Sequence, residues 1–207
     1  MRVWGVLLAV LAGPVLAHDG VIHKTPEEAQ AHAAAELPAP SGLPFPVKLG
    51  GPFELTDHTG AQRSAADPDG RMQLLFFGYA NCEAICSVAL PLMAETTDQL
   101  KAAGLDVRPV MVTVDPERDT VEAMGPALAR HHADFVGLTG TEPELNAVYD
   151  LFAVEKSVVF EDPIAGPIYA HGSHIYLLNG DGEFLTLLPP ILSTERVSEI
   201  VAAYAKP

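Results

Sequence analysis

One stretch of the chain, residues 74–91 (LLFFGYANCEAICSVALP), limits most strongly what the protein can fold into. It starts as an apolar run typical of a buried strand and continues, after Gly78, as a helix-like segment. Cys82 and Cys86, the only cysteines in the sequence, lie at this transition. Because residues at i and i+4 share a helix face, both thiols can meet at the helix start. There the backbone N–H groups and the helix dipole stabilise a thiolate, which is both a nucleophile and a soft metal ligand.

The pattern of the other segments predicts an α/β fold. Strands and helices alternate through the middle of the chain, which implies parallel strand pairing. The turn sequence Asn179-Gly180-Asp181-Gly182 predicts a closing hairpin, which adds antiparallel strands. We therefore expect a central mixed sheet flanked by helices, with an added N-terminal hairpin. The predicted elements are a hairpin at 47–71, strands at 73–77, 105–114, 135–138, 158–160, 174–178 and 183–187, and helices at 87–103, 121–132, 141–152 and 193–205.

The first 46 residues differ in composition from the rest. Residues 1–17 have a positive start, an apolar centre and a small-residue cleavage site at Ala17, as in a secretory signal peptide. The apolar run is shorter than the roughly 20 residues of a membrane-spanning helix, although an uncleaved anchor is the alternative. Residues 18–46 predict a flexible arm with histidines and prolines. The folded domain is expected over residues 47–207, exported to the bacterial periplasm, with no membrane span in the mature form.

The net charge of -15 argues against nucleic acid as a partner, because phosphates require clusters of lysine and arginine. In an exported protein the two thiols allow three interpretations. They can form a disulfide that only staples the helix start, act as a thiol–disulfide oxidoreductase, or bind a soft metal. The usual oxidoreductase motif has two residues between its cysteines, whereas three separate Cys82 from Cys86. Two thiolates and an imidazole suit copper, and zinc is the other candidate.

A metal site of this kind needs a histidine from elsewhere in the chain. His171 lies just before a predicted strand and His174 begins it, and a loop that enters a sheet can bring a ligand to a helix start. Spacing alone does not choose between these two. If cleavage follows Ala17, His18 becomes the N-terminus and can also chelate copper, with help from the other arm histidines, His23 and His32.

Several motifs in order resemble the SCO/SenC family. The resemblance spans residue 53 to the C-terminus, and its most specific part is the VDPERDT sequence. The matching motifs are FGYANC at 77–82 with Cys86, VTVDPERDT at 112–120, GLTGT at 137–141, IYLL at 175–178 and DGEFL at 181–185.

The resemblance implies a thioredoxin-like fold and copper binding through both motif cysteines and one distal histidine. Aligned from the DGEFL motif, that histidine is His171, with His174 as the alternative. The redox-active pair is then Cys82 and Cys86. The implied function is delivery of copper to, or maintenance of the thiols of, the binuclear copper site of cytochrome c oxidase. The expected partners are the copper-site subunit of that enzyme and other periplasmic copper or thiol proteins, and the protein is expected to be a monomer.

The chain also departs from the family pattern around the cysteines. Glu83 and Ala84 replace the usual proline and aspartate, Ser87 replaces a proline, and Ala170 replaces an acidic residue before the histidine. These changes bear on the role of the protein more than on the metal site. A thiol–disulfide oxidoreductase for a copper-protein partner and a copper or redox sensor are the alternatives to the copper chaperone.

Overall fold

The computed structural model describes residues 48–80, 82, 85–164 and 166–206. The predicted signal peptide and arm, with His18, His23 and His32, lie outside the described residues, as do Glu83 and Ala84. The described strands are β1 (Glu54–Asp57), β2 (Gln62–Ser64), β3 (Met72–Gly78), β4 (Val107–Thr113), β5 (Val136–Thr139), β6 (Ser157–Asp162), β7 (Gly166–Ala170), β8 (Ile175–Leu178) and β9 (Phe184–Leu188). The described helices are α1 (Cys86–Ala102), α2 (Val121–Ala129), α3 (Glu142–Leu151) and α4 (Thr194–Tyr204).

Seven strands form one sheet in the order β2-β1-β5-β4-β3-β8-β9. Strands β3, β4 and β5 pair in parallel, while β1 and β8 join them antiparallel. Strands β1 and β2 form the N-terminal hairpin, whose turn brings the Gly60 N–H to the Asp57 carbonyl at 2.9 Å. The predicted mixed sheet with its added hairpin is therefore confirmed.

Strand β3 is the centre of the core, because it is buried on both faces. On one face a Cβ at Gly78 would lie against both the Phe76 ring and the Cys86 sulfur of α1. On the other face Phe77 packs edge-on against Tyr149 of α3, with ring centroids 6.0 Å apart. Side chains alternate between faces along a strand, so the helices cover both sides of the sheet, as predicted.

Two elements differ from the sequence-based prediction. Helix α2 ends at Ala129 and not at residue 132, and the chain continues as a turn in which the N–H groups of His131 and His132 both bond to the Leu128 carbonyl. Strands β6 and β7 form a separate two-stranded sheet where only a short strand at 158–160 was expected. Among the described residues, none of the helices combines the length and the apolarity needed to cross a membrane.

Candidate metal centre

The two cysteines lie where strand β3 gives way to helix α1. Strand β3 ends at Gly78, Cys82 follows in the connection, and Cys86 is the first residue of the helix. Both thiols are reduced, and their exposed fractions are 9 % for Cys82 and 1 % for Cys86. The pair is therefore largely shielded from water, and Cys82 is the more accessible of the two sulfurs.

The two thiols are hydrogen-bonded to each other. The bond to Cys82, followed by burial, raises the pKa of the Cys86 thiol. A hydrogen bond raises a pKa when it favours the protonated form, so Cys86 donates its S–H and the Cys82 sulfur accepts. Cys82 is consequently the sulfur on which negative charge is stabilised.

His171 comes to the sulfurs from a distant part of the chain, directly after strand β7. Its Nε2 lies 3.9 Å from the Cys82 Sγ and 3.8 Å from the Cys86 Sγ. All three possible ligand atoms lie within 4.8 Å of one another. Among the described residues, this is the cluster of three side chains that could hold a metal ion.

The orientation of the imidazole suits a ligand. Its Nδ1 lies 3.0 Å from the carbonyl oxygen of Gly172, which can only accept a hydrogen bond. Nδ1 therefore carries the proton, and the lone pair is on Nε2, the nitrogen nearest the sulfurs. The ring packs edge-on against Phe76 and Tyr79, with centroids 5.9 and 5.8 Å apart. Such outer contacts fix the tautomer and the direction of a metal-binding histidine.

Gly78 makes room for this arrangement. A Cβ at this position would lie 2.7 Å from a ring carbon of Phe76 and 3.0 Å from the Cys86 sulfur. Any larger side chain would therefore displace either the ring behind the imidazole or the sulfur itself. The glycine allows β3 to pass directly beneath the site.

Sequence reasoning assigned no role to Tyr79, yet this residue contacts most of the site. Its side chain is 2 % exposed, and it hydrogen-bonds to the Cys82 side chain and to the Tyr169 backbone. Burial, followed by the charge of Cys82, raises the pKa of its hydroxyl. The hydroxyl therefore remains protonated at neutral pH and donates to Cys82.

The VDPERDT motif contacts the connection between β3 and α1, which carries Cys82. Burial raises the pKa of Asp119, whose carboxylate accepts hydrogen bonds from the Thr113 hydroxyl at 2.7 Å and from the Ala80 N–H at 3.1 Å. The motif thus holds the connection that carries Cys82. Arg118 pairs with Asp115 and donates from Nη2 to the Pro167 carbonyl of β7 at 2.6 Å.

Arg118 therefore connects the loop after β4 to the β6–β7 hairpin, which leads into His171. Its guanidinium carbon also lies 5.7 Å from the centre of the Tyr79 ring. The resemblance marked this motif as specific but gave it no role. The sequence signal for this role is the position of Arg118 between two acids, Glu117 and Asp119, of which Asp119 is buried.

The other predicted residues lie apart from the sulfurs. His174 is exposed and is not in the ligand cluster. Ser87 is exposed on the first turn of α1, and Ala170 is exposed at the end of β7. His58 is half-buried, and its Nδ1 accepts the Gly137 N–H at 3.1 Å. That histidine has a structural role between β1 and β5.

Two sulfurs and one imidazole nitrogen can do two kinds of chemistry. As a donor set they fit a soft metal such as copper, since thiolate and imidazole ligands favour copper and zinc over magnesium or calcium. As a dithiol they can exchange with a disulfide, with Cys82 as the attacking sulfur. The fold and the site together define a thioredoxin-like protein with a dithiol and an imidazole at a helix start.

Comparison with known proteins agrees with this class. The model of the SCO1/SenC family matches residues 42–206, and the chain belongs to that family. The mitochondrial protein SCO1 homolog of Homo sapiens is 32 % identical over 199 residues, which cover 95 % of this chain and 62 % of the human protein. The SCO2-like protein of Rickettsia conorii is 36 % identical over 140 residues, covering 67 % of this chain and 68 % of that protein.

A solved structure supports the fold assignment. Arabidopsis thaliana ScoI with copper bound has a TM-score of 0.71 and 28 % sequence identity to this chain. The match covers 76 % of this chain and 98 % of the plant protein. The thioredoxin-like fold that the resemblance implied is thereby confirmed.

Proposed function

We propose that this protein binds copper through Cys82, Cys86 and His171 and delivers it to the binuclear copper site of cytochrome c oxidase. The observation that carries the proposal is the convergence of three soft or borderline donor atoms within 4.8 Å of one another. The copper-bound state of the Arabidopsis relative supports the choice of metal. Export to the periplasm, which the first 17 residues predict, is part of the same proposal.

In this mechanism copper is cargo and the chain provides a site that can both hold and release it. Cys86 loses its proton when the metal arrives, and the Gly172 carbonyl keeps the Nε2 lone pair of His171 directed at the sulfurs. An acceptor then replaces the ligands one at a time. Oxidation of the two thiols to a disulfide removes two electrons and two protons, and it abolishes the site, so redox state controls loading.

The second candidate function is a thiol–disulfide reductase for a copper-site partner. The hydrogen bond from Cys86 to Cys82 favours it, because it stabilises the attacking thiolate. The Cys82 sulfur would attack a disulfide of the partner and form a mixed disulfide, releasing one partner thiol. Cys86 would then attack Cys82, releasing the second partner thiol, so that two electrons pass to the partner.

Copper titration of the reduced protein tests the first proposal. We expect one Cu(I) to bind in competition with a chelator, and we expect Cys82→Ser and Cys86→Ser to abolish this binding. His171→Ala removes a direct ligand and should weaken it by more than about 100-fold, beyond the 10- to 100-fold typical of losing an outer contact to a ligand. The matched variant His174→Ala should leave it unchanged. Copper binding that survives both cysteine substitutions would refute the proposal. A protein that reduces the disulfide of the oxidase copper site without transferring metal would favour the reductase.

A further inference from the structure

The β6–β7 hairpin carries an apolar surface that the rest of the described chain leaves uncovered. The exposed fractions are 52 % for Val158, 66 % for Val159, 57 % for Phe160 and 98 % for Ile164. Soluble proteins rarely expose several large apolar side chains together, and such patches with a polar rim mark interaction sites.

This surface is continuous with the candidate metal centre. Strand β7 ends at Ala170, so the hairpin leads directly into His171. Tyr169 of β7 packs edge-on against Tyr79, with centroids 5.6 Å apart, and Tyr79 packs against His171. Any protein that takes metal from His171 therefore approaches the hairpin.

A cleft of about 550 Å³ lies beside the hairpin. Val158 and Tyr169 give it apolar walls, and the carboxylates of Glu117, Glu142 and Glu161 surround them. The lining also includes Lys156, whose Nζ lies 4.8 Å from the centre of the Tyr169 ring, so the three carboxylates outnumber a single cation. Lysine and arginine combine an apolar stem with a charged head, and they match this pattern of apolar wall and acidic rim.

We propose that the β6–β7 hairpin and its acidic cleft are the docking surface for the protein that receives copper, and that this acceptor presents an apolar patch edged by lysine and arginine. The inference rests on the proposed function and identifies the face on which transfer occurs. A second copy of this chain is a poorer occupant, because two acidic rims and two net charges of -15 repel each other. The same charge opposes binding to an anionic membrane.

Two pairs of substitutions test this surface. Val159→Ser with Phe160→Ser removes the apolar contact, and Glu142→Lys with Glu161→Lys reverses the charge of the rim. The matched control is Tyr204→Ser with Asp181→Lys. Tyr204 shares a cavity with residues before β3, and Asp181 lies in the turn after β8, so both are at the opposite end of the sheet.

The Cu(I)-loaded full chain is mixed with the metal-free, reduced copper-site domain of cytochrome c oxidase, and the transfer rate is measured at several salt concentrations. We expect each test pair to slow transfer at least tenfold while Cu(I) affinity, measured by chelator competition, stays at the wild-type value. Added salt should slow the wild type, and the charge-reversed pair should lose this dependence. The control should behave as the wild type.

The other outcomes overturn the proposal in distinguishable ways. Wild-type transfer rates in both test pairs would refute the docking surface and leave the copper function intact. If the wild type itself transfers no copper to this domain, both proposals fail. If the wild type sediments as a dimer and the variant Val159→Ser with Phe160→Ser sediments as a monomer, the hairpin is the contact with a second copy of the chain. If the wild type binds phosphatidylglycerol vesicles and that same variant does not, the hairpin is a lipid-binding surface.

Discussion

Cys82 accepts hydrogen bonds from two donors, the thiol of Cys86 and the hydroxyl of Tyr79. Both bonds stabilise negative charge on the same sulfur, and therefore both favour the reduced dithiol over the disulfide. Neither bond requires a metal. The redox balance of the pair is thus set partly by a residue that lies outside the cysteine motif.

Replacing Tyr79 by phenylalanine should make the Cys82–Cys86 couple more reducing. The variant keeps the ring packing but loses a donor worth about 1 kcal/mol, which corresponds to a reduction potential about 20 mV more negative. Equilibration with glutathione buffers and alkylation of the remaining thiols measures this shift. The control is Tyr149→Phe, which removes a buried hydroxyl that donates to the Thr113 carbonyl. Equal potentials in the wild type and Tyr79→Phe would contradict this role.

The cysteines could be predicted from the sequence because a strand, a glycine and a helix pattern are local signals. The distal histidine could not be chosen from spacing, because His171 and His174 both lie within four residues of the start of the next strand. The contribution of Arg118 was also invisible, since its partner Pro167 is 49 positions away. Contacts at such separations depend on the finished fold, and only the family resemblance anticipated one of them.

The closing hairpin of β8 and β9 was predicted because its turn sequence is a strong local signal, and the strands differ from the prediction only at their ends. The β6–β7 hairpin gave no such signal. The sequence of β6, SVVFED, lacks the alternation of apolar and polar residues that identifies half-buried strands, and residues 157–161 are all exposed. Most of the fold was therefore predictable, except the element that delivers His171.

Arg118 ties this hairpin to the rest of the domain, and Arg118→Gln should weaken copper binding. Partners that hold a metal ligand in place are typically worth 10- to 100-fold in affinity, and we expect about tenfold. Chelator competition measures the affinity, and thermal unfolding checks that the fold persists. Arg196→Gln, which removes an exposed ion pair with Glu199 on α4, is the control. Unchanged affinity in Arg118→Gln would mean that the hairpin holds His171 without this tie.

For the molecule as a whole, copper binding should stabilise the fold, because its three ligands come from parts of the chain up to 89 positions apart. At a hundredfold excess over Kd, binding to the folded state adds about 2.7 kcal/mol, which raises the Tm of a domain of this size by about 5–10 °C. Calorimetry with and without Cu(I) measures the shift. The Cys82→Ser with Cys86→Ser variant serves as the control and should show none. A copper-independent Tm in the wild type would contradict assembly of the site by folding.

The imidazole and the sulfurs follow strands of separate sheets: His171 comes directly after β7 of the two-stranded sheet, and the cysteines come after β3 of the seven-stranded sheet. Copper at this site would act as a reversible cross-link between the two. A displacement of the hairpin would break its contacts with Tyr79 and Arg118 and lower the number of available ligands from three to two, while both sulfurs stay at the start of α1. The time for which the protein retains its copper would then depend on how easily the β6–β7 hairpin moves away from the main sheet.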